Sequence, residues 1–228
     1  MDERFPEEFV TWHHTTPVGV KVDEVFGMDS KSGRVWLELA RQIYCEQGMP
    51  DYRVIEHFEN GAPYLEGYPG RISLTHTGHF FAVATLPKTP EINLDGFSPR
   101  AAMGIDAEHL DRQQVIKIRN KFLSENELEL IAEDNLKANI LAWTAKEALY
   151  KIAFVKGIDF KNDISILSLP VLEPDPTKKS NAPLGEALIK FPENSDIGTQ
   201  KFNLYSYESY GCCVTIAFSP KCAKFGKK

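Results

Sequence analysis

The chain has 228 residues, 43% of them hydrophobic and 25% charged, so it can bury a substantial core and reads as a globular protein. Its 32 acidic against 26 basic residues leave a formal net charge of −6, which argues against nucleic acid as a partner, since such binders need a dense basic face. No apolar stretch approaches the roughly 18 residues of a membrane span, and Met1-Asp2-Glu3-Arg4 does not open a basic segment followed by an apolar run, so neither a leader nor a membrane partner is expected.

In chain order, weak alternation predicts a strand over 18–25. Ser32-Gly33 opens a helix over 34–45, with Val35, Leu39 and Ile43 on one face. A strand over 53–58 is followed by the turn Asn60-Gly61-Ala62-Pro63. Residues 71–76 form a strand that runs into a tight turn at Thr77-Gly78, and the continuous apolar run 80–86 is a buried strand. Residues 87–100 hold Pro87, Pro90, Gly96 and Pro99 without periodicity and predict a linker, dividing the chain into 1–95 and 96–228.

A short strand over 101–108 opens the second part. Ser124-x-x-Glu127 is a capping box that starts a helix. A longer helix over 135–156 ends at Gly157, with Ile140, Leu141, Ala145, Ala148, Leu149 and Ile152 at helical spacing. Strands follow over 163–169, 186–191, 201–206 and 211–218, and 173–183 is an exposed loop. Each half carries a helix with a tryptophan and a late tyrosine, Trp36 to Tyr44 and Trp143 to Tyr150, a faint internal echo. The four cysteines, Cys45, Cys212, Cys213 and Cys222, lack zinc-type spacing, and Cys212 and Cys213 point to opposite faces of a strand. They read as reduced thiols of a cytoplasmic protein.

Two segments carry chemistry. In Gly104-Ile105-Asp106-Ala107-Glu108 the two carboxylates share one strand face. Side by side they repel unless a positive group lies between them, and Mg²⁺, which favours carboxylate and phosphate oxygens, is a natural solution. Alone, such a pair is commonly two solvated strand carboxylates. In Trp143-Thr144-Ala145-Lys146-Glu147-Ala148-Leu149-Tyr150-Lys151, Glu147 and Lys151 are neighbours at i, i+4, and Lys146 lies about 100° around the helix. Alone, that is a solvated helix face with one ion pair. Together, three carboxylates and two lysines could supply a metal and phosphate site for phosphoryl transfer.

These blocks, in this order, resemble the signature of the 4′-phosphopantetheinyl transferase superfamily. Met103 to Glu108 matches its first block and Trp143 to Lys151 its second. Ile72-Ser73-Leu74-Thr75-His76-Thr77-Gly78 is similar to a Ser-His-Ser/Thr-Gly turn of the longer, Sfp-like branch, and Phe122-Leu123-Ser124-x-x-Glu127 to the segment before the helix. The resemblance spans residues 30–155 and is sharp in the short blocks. It departs where the family has Lys-Pro and this chain has Ala62-Pro63, and where the N-terminal stretch lacks a basic run.

The resemblance implies an α+β fold of two similar lobes, packed as an intramolecular pseudo-dimer with the active site between them, and a monomer. It implies transfer of the 4′-phosphopantetheine group of coenzyme A to a serine of an apo acyl or peptidyl carrier protein, releasing 3′,5′-ADP. Asp106, Glu108 and Glu147 would hold Mg²⁺, with Mn²⁺ suited by the same oxygen ligands. Glu147 and Lys151 would serve catalysis. Thr75, His76, Lys146, Lys151 and Arg34 would contact coenzyme A. Glu127 stands between a catalytic role and that of a helix cap. A hydrolase of a nucleotide diphosphate and a non-catalytic coenzyme A-binding protein are the other classes that fit.

Overall fold

The computed structural model describes residues 10–27, 38–41, 43, 45, 55–58, 61–68, 70–86, 103–153, 157–178, 181–193 and 197–220. Arg34, Trp36, Tyr44, Cys222 and the expected linker lie outside them. Two predominantly antiparallel sheets and their helices make an α+β fold.

The first sheet contains β1 (Val10–Thr15), β2 (Lys21–Phe26), β5 (Arg71–Thr77) and β6 (Phe80–Leu86), in the order β1-β2-β6-β5. β3 (Glu56–His57) and β4 (Pro63–Tyr64) pair separately. Helix α1, described at 38–41, 43 and 45, supplies Leu39, Ala40 and Ile43 to a core with Val25, Phe81 and Val83. β6 is buried along its whole length, as its unbroken apolar run requires, because both faces are covered.

The second sheet runs β7-β12-β11-β10-β8. Its strands are β7 (Met103–His109), β8 (Ile164–Ser168), β10 (Gly185–Lys190), β11 (Thr199–Ser209) and β12 (Cys212–Phe218), with β9 (Leu172–Glu173) parallel to β11. Helices α2 (Gln114–Phe122), α3 (Glu125–Leu130) and α4 (Leu136–Ala153) follow β7. The apolar stripe predicted for α4 is buried on this sheet. A core of Val20, Val22, Phe80, Ile105, Tyr207 and Ile216, among others, is shared by both sheets. The layers are therefore α1, first sheet, second sheet, α4.

Cys212 joins the shared core and Cys213 the α4 core, so adjacent cysteines do face opposite ways. Burial pushes the Cys213 thiol up to about 11, which keeps it neutral. β1 and α2 are not anticipated by the sequence reading. Gln113 caps α2 without a side-chain hydrogen bond, so the usual start residue is missing. Among the described residues no helix is long and apolar enough to cross a membrane.

Glu24, fully buried on β2, ties the two sheets together. It accepts from Tyr207 Oη (2.6 Å) and Ser209 Oγ (2.5 Å) on β11 and pairs with His14 Nε2 (3.2 Å) on β1. A buried carboxylate with this many partners has its desolvation offset by charge-assisted hydrogen bonds.

Candidate functional site

β7 alternates as its sequence predicts. Ile105 and Ala107 enter the shared core, while Gly104, Asp106 and Glu108 face α4. The glycine is required by close approach: a Cβ on Gly104 would lie 2.1 Å from the Ala148 carbonyl oxygen. That proximity brings the helix residues Glu147 and Lys151 to the two strand carboxylates.

β7 also runs beside β5, and hydroxyls do the joining. Ser73 Oγ accepts from the Ile105 N–H (3.1 Å) and Thr75 Oγ1 from the Ala107 N–H (2.9 Å). Thr75 Oγ1 donates to Asp106 Oδ1 (3.2 Å), and Thr77 Oγ1 to Glu108 Oε1 (2.9 Å). Lys151 Nζ sits at the seam, donating to the Leu74 (3.1 Å) and Ile105 (2.9 Å) carbonyls and to Asp106 Oδ1 (2.7 Å). Arg112 Nη1 lies 2.5 Å from Glu108 Oε2.

Burial raises the Asp106 pKa above the usual carboxylate range, although Lys151 and Thr75 oppose the shift. Glu147 is pushed up to about 7 by burial, then by Asp106 and, more weakly, Glu108, with Lys151 pulling the other way. Three acids therefore repel one another in a poorly hydrated place, and a hard divalent cation would relieve that repulsion. The donor chemistry fits such an ion: Asp106 spends Oδ1 on Thr75 and Lys151, leaving Oδ2. Among the described residues, however, no group of three or more His, Cys, Asp or Glu is drawn together closely enough to hold a metal.

Glu147 makes stability depend on pH. Its folded-state pKa of about 7 exceeds the ordinary 4.5, so the native state binds the extra proton between these values and loses stability as pH rises through them. At pH 7 and above the cost is on the order of 3 kcal/mol. Glu147→Gln is expected to unfold at a higher temperature than wild type at neutral pH in a chelator, with the gap closing toward pH 4.5. Thermal unfolding across this range checks it, and a gap independent of pH would refute it.

Lys146 and Glu127 are placed elsewhere. The Lys146 side chain is 0% exposed, and its Nζ donates to Glu127 Oε2 (2.7 Å) and to the carbonyls of Phe160 (2.7 Å) and Ile164 (2.8 Å). Glu127 also closes the capping box with Ser124 and accepts from the Ile166 N–H on edge strand β8 (2.7 Å). The ammonium is thus turned inward with three oxygen partners and has no surface for a phosphate. Burial lowers its pKa against the pull of Glu127. A cavity of about 260 Å³ lies beside Glu127, walled by Leu130, Ile131, Ile166 and Leu167.

Thr75, expected at coenzyme A, faces Asp106 and β7. His76 lies on the opposite face of β5, exposed, with its ring against Phe81. The structure thus brings together Asp106, Glu108, Glu147 and Lys151, with Thr75 behind Asp106. It adds Thr77 and Arg112, to which sequence reasoning gave no role. Thr77 stood in a quoted motif, and its two-residue spacing from Thr75, which puts both on one face of a strand, was the available clue; Arg112 lies in a turn with no pattern.

The family model described as 4′-phosphopantetheinyl transferase superfamily matches residues 102–210. This segment runs from β7 through most of the second sheet and includes Asp106, Glu108, Glu147 and Lys151. No curated protein matches the chain.

Proposed function

From residues 102–210, a segment of the 4′-phosphopantetheinyl transferase superfamily, we propose that the protein transfers 4′-phosphopantetheine from coenzyme A to a serine of an apo acyl or peptidyl carrier protein, releasing 3′,5′-ADP. The observation that carries this reading is the Lys151–Asp106 ion pair on the face of β7 that Glu108 shares, with Glu147 of α4 near enough to feel both strand carboxylates. Enzymes of this superfamily act on coenzyme A and typically use a divalent metal.

In the proposed reaction Asp106, Glu108 and Glu147 are the residues that would hold Mg²⁺ or Mn²⁺. The bound ion supplies charge neutralisation for the pyrophosphate oxygens. Lys151, whose side chain is 28% exposed, places a positive charge beside Asp106 where phosphate oxygens gather. His76 supplies a further contact from β5. The carrier serine oxygen bonds to the phosphorus attached to pantetheine, and the bond from that phosphorus to the bridging oxygen breaks, so 3′,5′-ADP leaves with the electron pair. The Glu147 carboxylate is the acceptor for the serine proton, directly or through a water. Lys146 and Glu127, paired in the interior, hold the scaffold in this reading. The two sheets with their helices are the two lobes of the pseudo-dimer, and the protein acts as a cytoplasmic monomer.

The test is intact-mass spectrometry of an apo carrier protein incubated with the enzyme, coenzyme A and Mg²⁺. A metal-dependent gain of one phosphopantetheine on the carrier supports the reading. Coenzyme A cleaved with the carrier unmodified would replace it with a hydrolase, and coenzyme A bound but intact across several unrelated carriers would replace it with a binding protein.

A further inference from the structure

Each oxygen of the Glu108 carboxylate is held by named donors. Oε1 accepts from Thr77 Oγ1 (2.9 Å) and from the His109 N–H (2.9 Å), and Oε2 from Arg112 (2.5 Å). The His109 bond is local to β7, and Arg112 lies four residues on with half its side chain exposed. Thr77 alone of the three reaches Glu108 from the first sheet. It is buried, and it lies at the end of β5 where the turn meets the end of β7. Gly78, next in the chain, has φ +55, and a Cβ there would lie 2.6 Å from His109 Nε2, so the turn is seated tightly against the residue following Glu108. The Thr77 hydroxyl therefore has little freedom to leave its carboxylate.

We propose that Thr77 is a positioning residue that fixes the Glu108 carboxylate across the seam for divalent-cation binding. This rests on the reading of Glu108 as a cation ligand. An ionised carboxylate only accepts, so the threonine must donate, and the bond orients the side chain as outer-layer donors orient metal ligands elsewhere. Removing it leaves Glu108 with the His109 N–H of its own strand and the half-exposed Arg112, and with no donor from the first sheet.

The test compares wild type with Thr77→Val, which keeps the shape and removes the donor, and Thr77→Ser, which restores it. Mn²⁺ affinity is read by electron paramagnetic resonance, with and without coenzyme A, and unfolding temperature is read in a chelator. Thr77→Val is expected to bind Mn²⁺ about tenfold more weakly or worse, with Thr77→Ser close to wild type. Should Thr77→Val fail to fold, Thr77→Cys, of similar size and a poor donor, is read the same way. Wild-type Mn²⁺ affinity in the variant lacking a good donor overturns the proposal, even if its unfolding temperature falls, because a packing role alone moves only stability. A wild type that binds no Mn²⁺ also overturns it. Transfer activity is judged separately: a protein whose Mn²⁺ affinity depends on Thr77 and that modifies no carrier refutes the transferase reading alone.

Discussion

Asp106→Asn is expected to slow phosphopantetheine transfer by about a hundredfold or more while leaving the fold at least as stable as wild type. Asparagine keeps the shape of the side chain and its place beside Thr75. It removes the negative charge that the proposed cation and Lys151 both use. The stability half follows from burial, which already holds the Asp106 carboxyl above its ordinary pKa. Ionising such a group opposes folding at every pH above its unfolded value, so a neutral replacement relieves a cost. Lys151 keeps the Leu74 and Ile105 carbonyls and enough exposure to hydrate its charge. Carrier modification followed by mass, together with thermal unfolding, checks both halves. A transfer rate near wild type would remove Asp106 from the reaction, and a large loss of stability would mean that its pairing with Lys151 outweighs its burial.

Lys146→Met is expected to do the reverse. Loss of the ammonium leaves the Glu127 carboxylate without its counter-charge and the Phe160 and Ile164 carbonyls without their donor, all in the interior. Breaking a buried ion pair from one side costs about 3–5 kcal/mol. Denaturant unfolding should show a loss of that order, and Glu127→Gln in the same chain should recover part of it, because the uncompensated charge is then gone. Below its melting range the variant should transfer at close to the wild-type rate, since Lys146 has no exposed surface. A stable variant with a large loss of rate would return Lys146 to the phosphates, where the family resemblance put it.

The two lysines show what a linear pattern conveys. Asp106 and Glu108 share a face because strand geometry dictates it, and Gly104 announces the close approach of α4. Lys151 lies one turn on from Glu147, so the same rule carries it to the site. Lys146 is adjacent to Glu147 in sequence, but the face it occupies packs toward α3 and β8, and packing of distant elements decided that. The long helix and strands β5 to β7 and β10 to β12 were legible from apolar periodicity and turn residues. β1, with a mostly exposed surface, carries no apolar pattern to read. The capping box was legible too, but it could not reveal that Glu127 also holds the β8 edge through Ile166. The seam between β5 and β7 was invisible, because hydroxyl-to-backbone bonds leave no periodic trace beyond the alternation of Ser73, Thr75 and Thr77.

The core between the sheets belongs to neither of them. Val22 and Phe80 come from one side, Ile105 and Tyr207 from the other, and Glu24 is satisfied only when both are present. Cut apart, each half would expose an apolar sheet face, and one of them a stranded carboxylate. The two parts of this chain are thus not modules that evolution or a cloning scheme can exchange one at a time. A lesion in either is inherited by both, and a replacement for either must arrive already fitted to its neighbour.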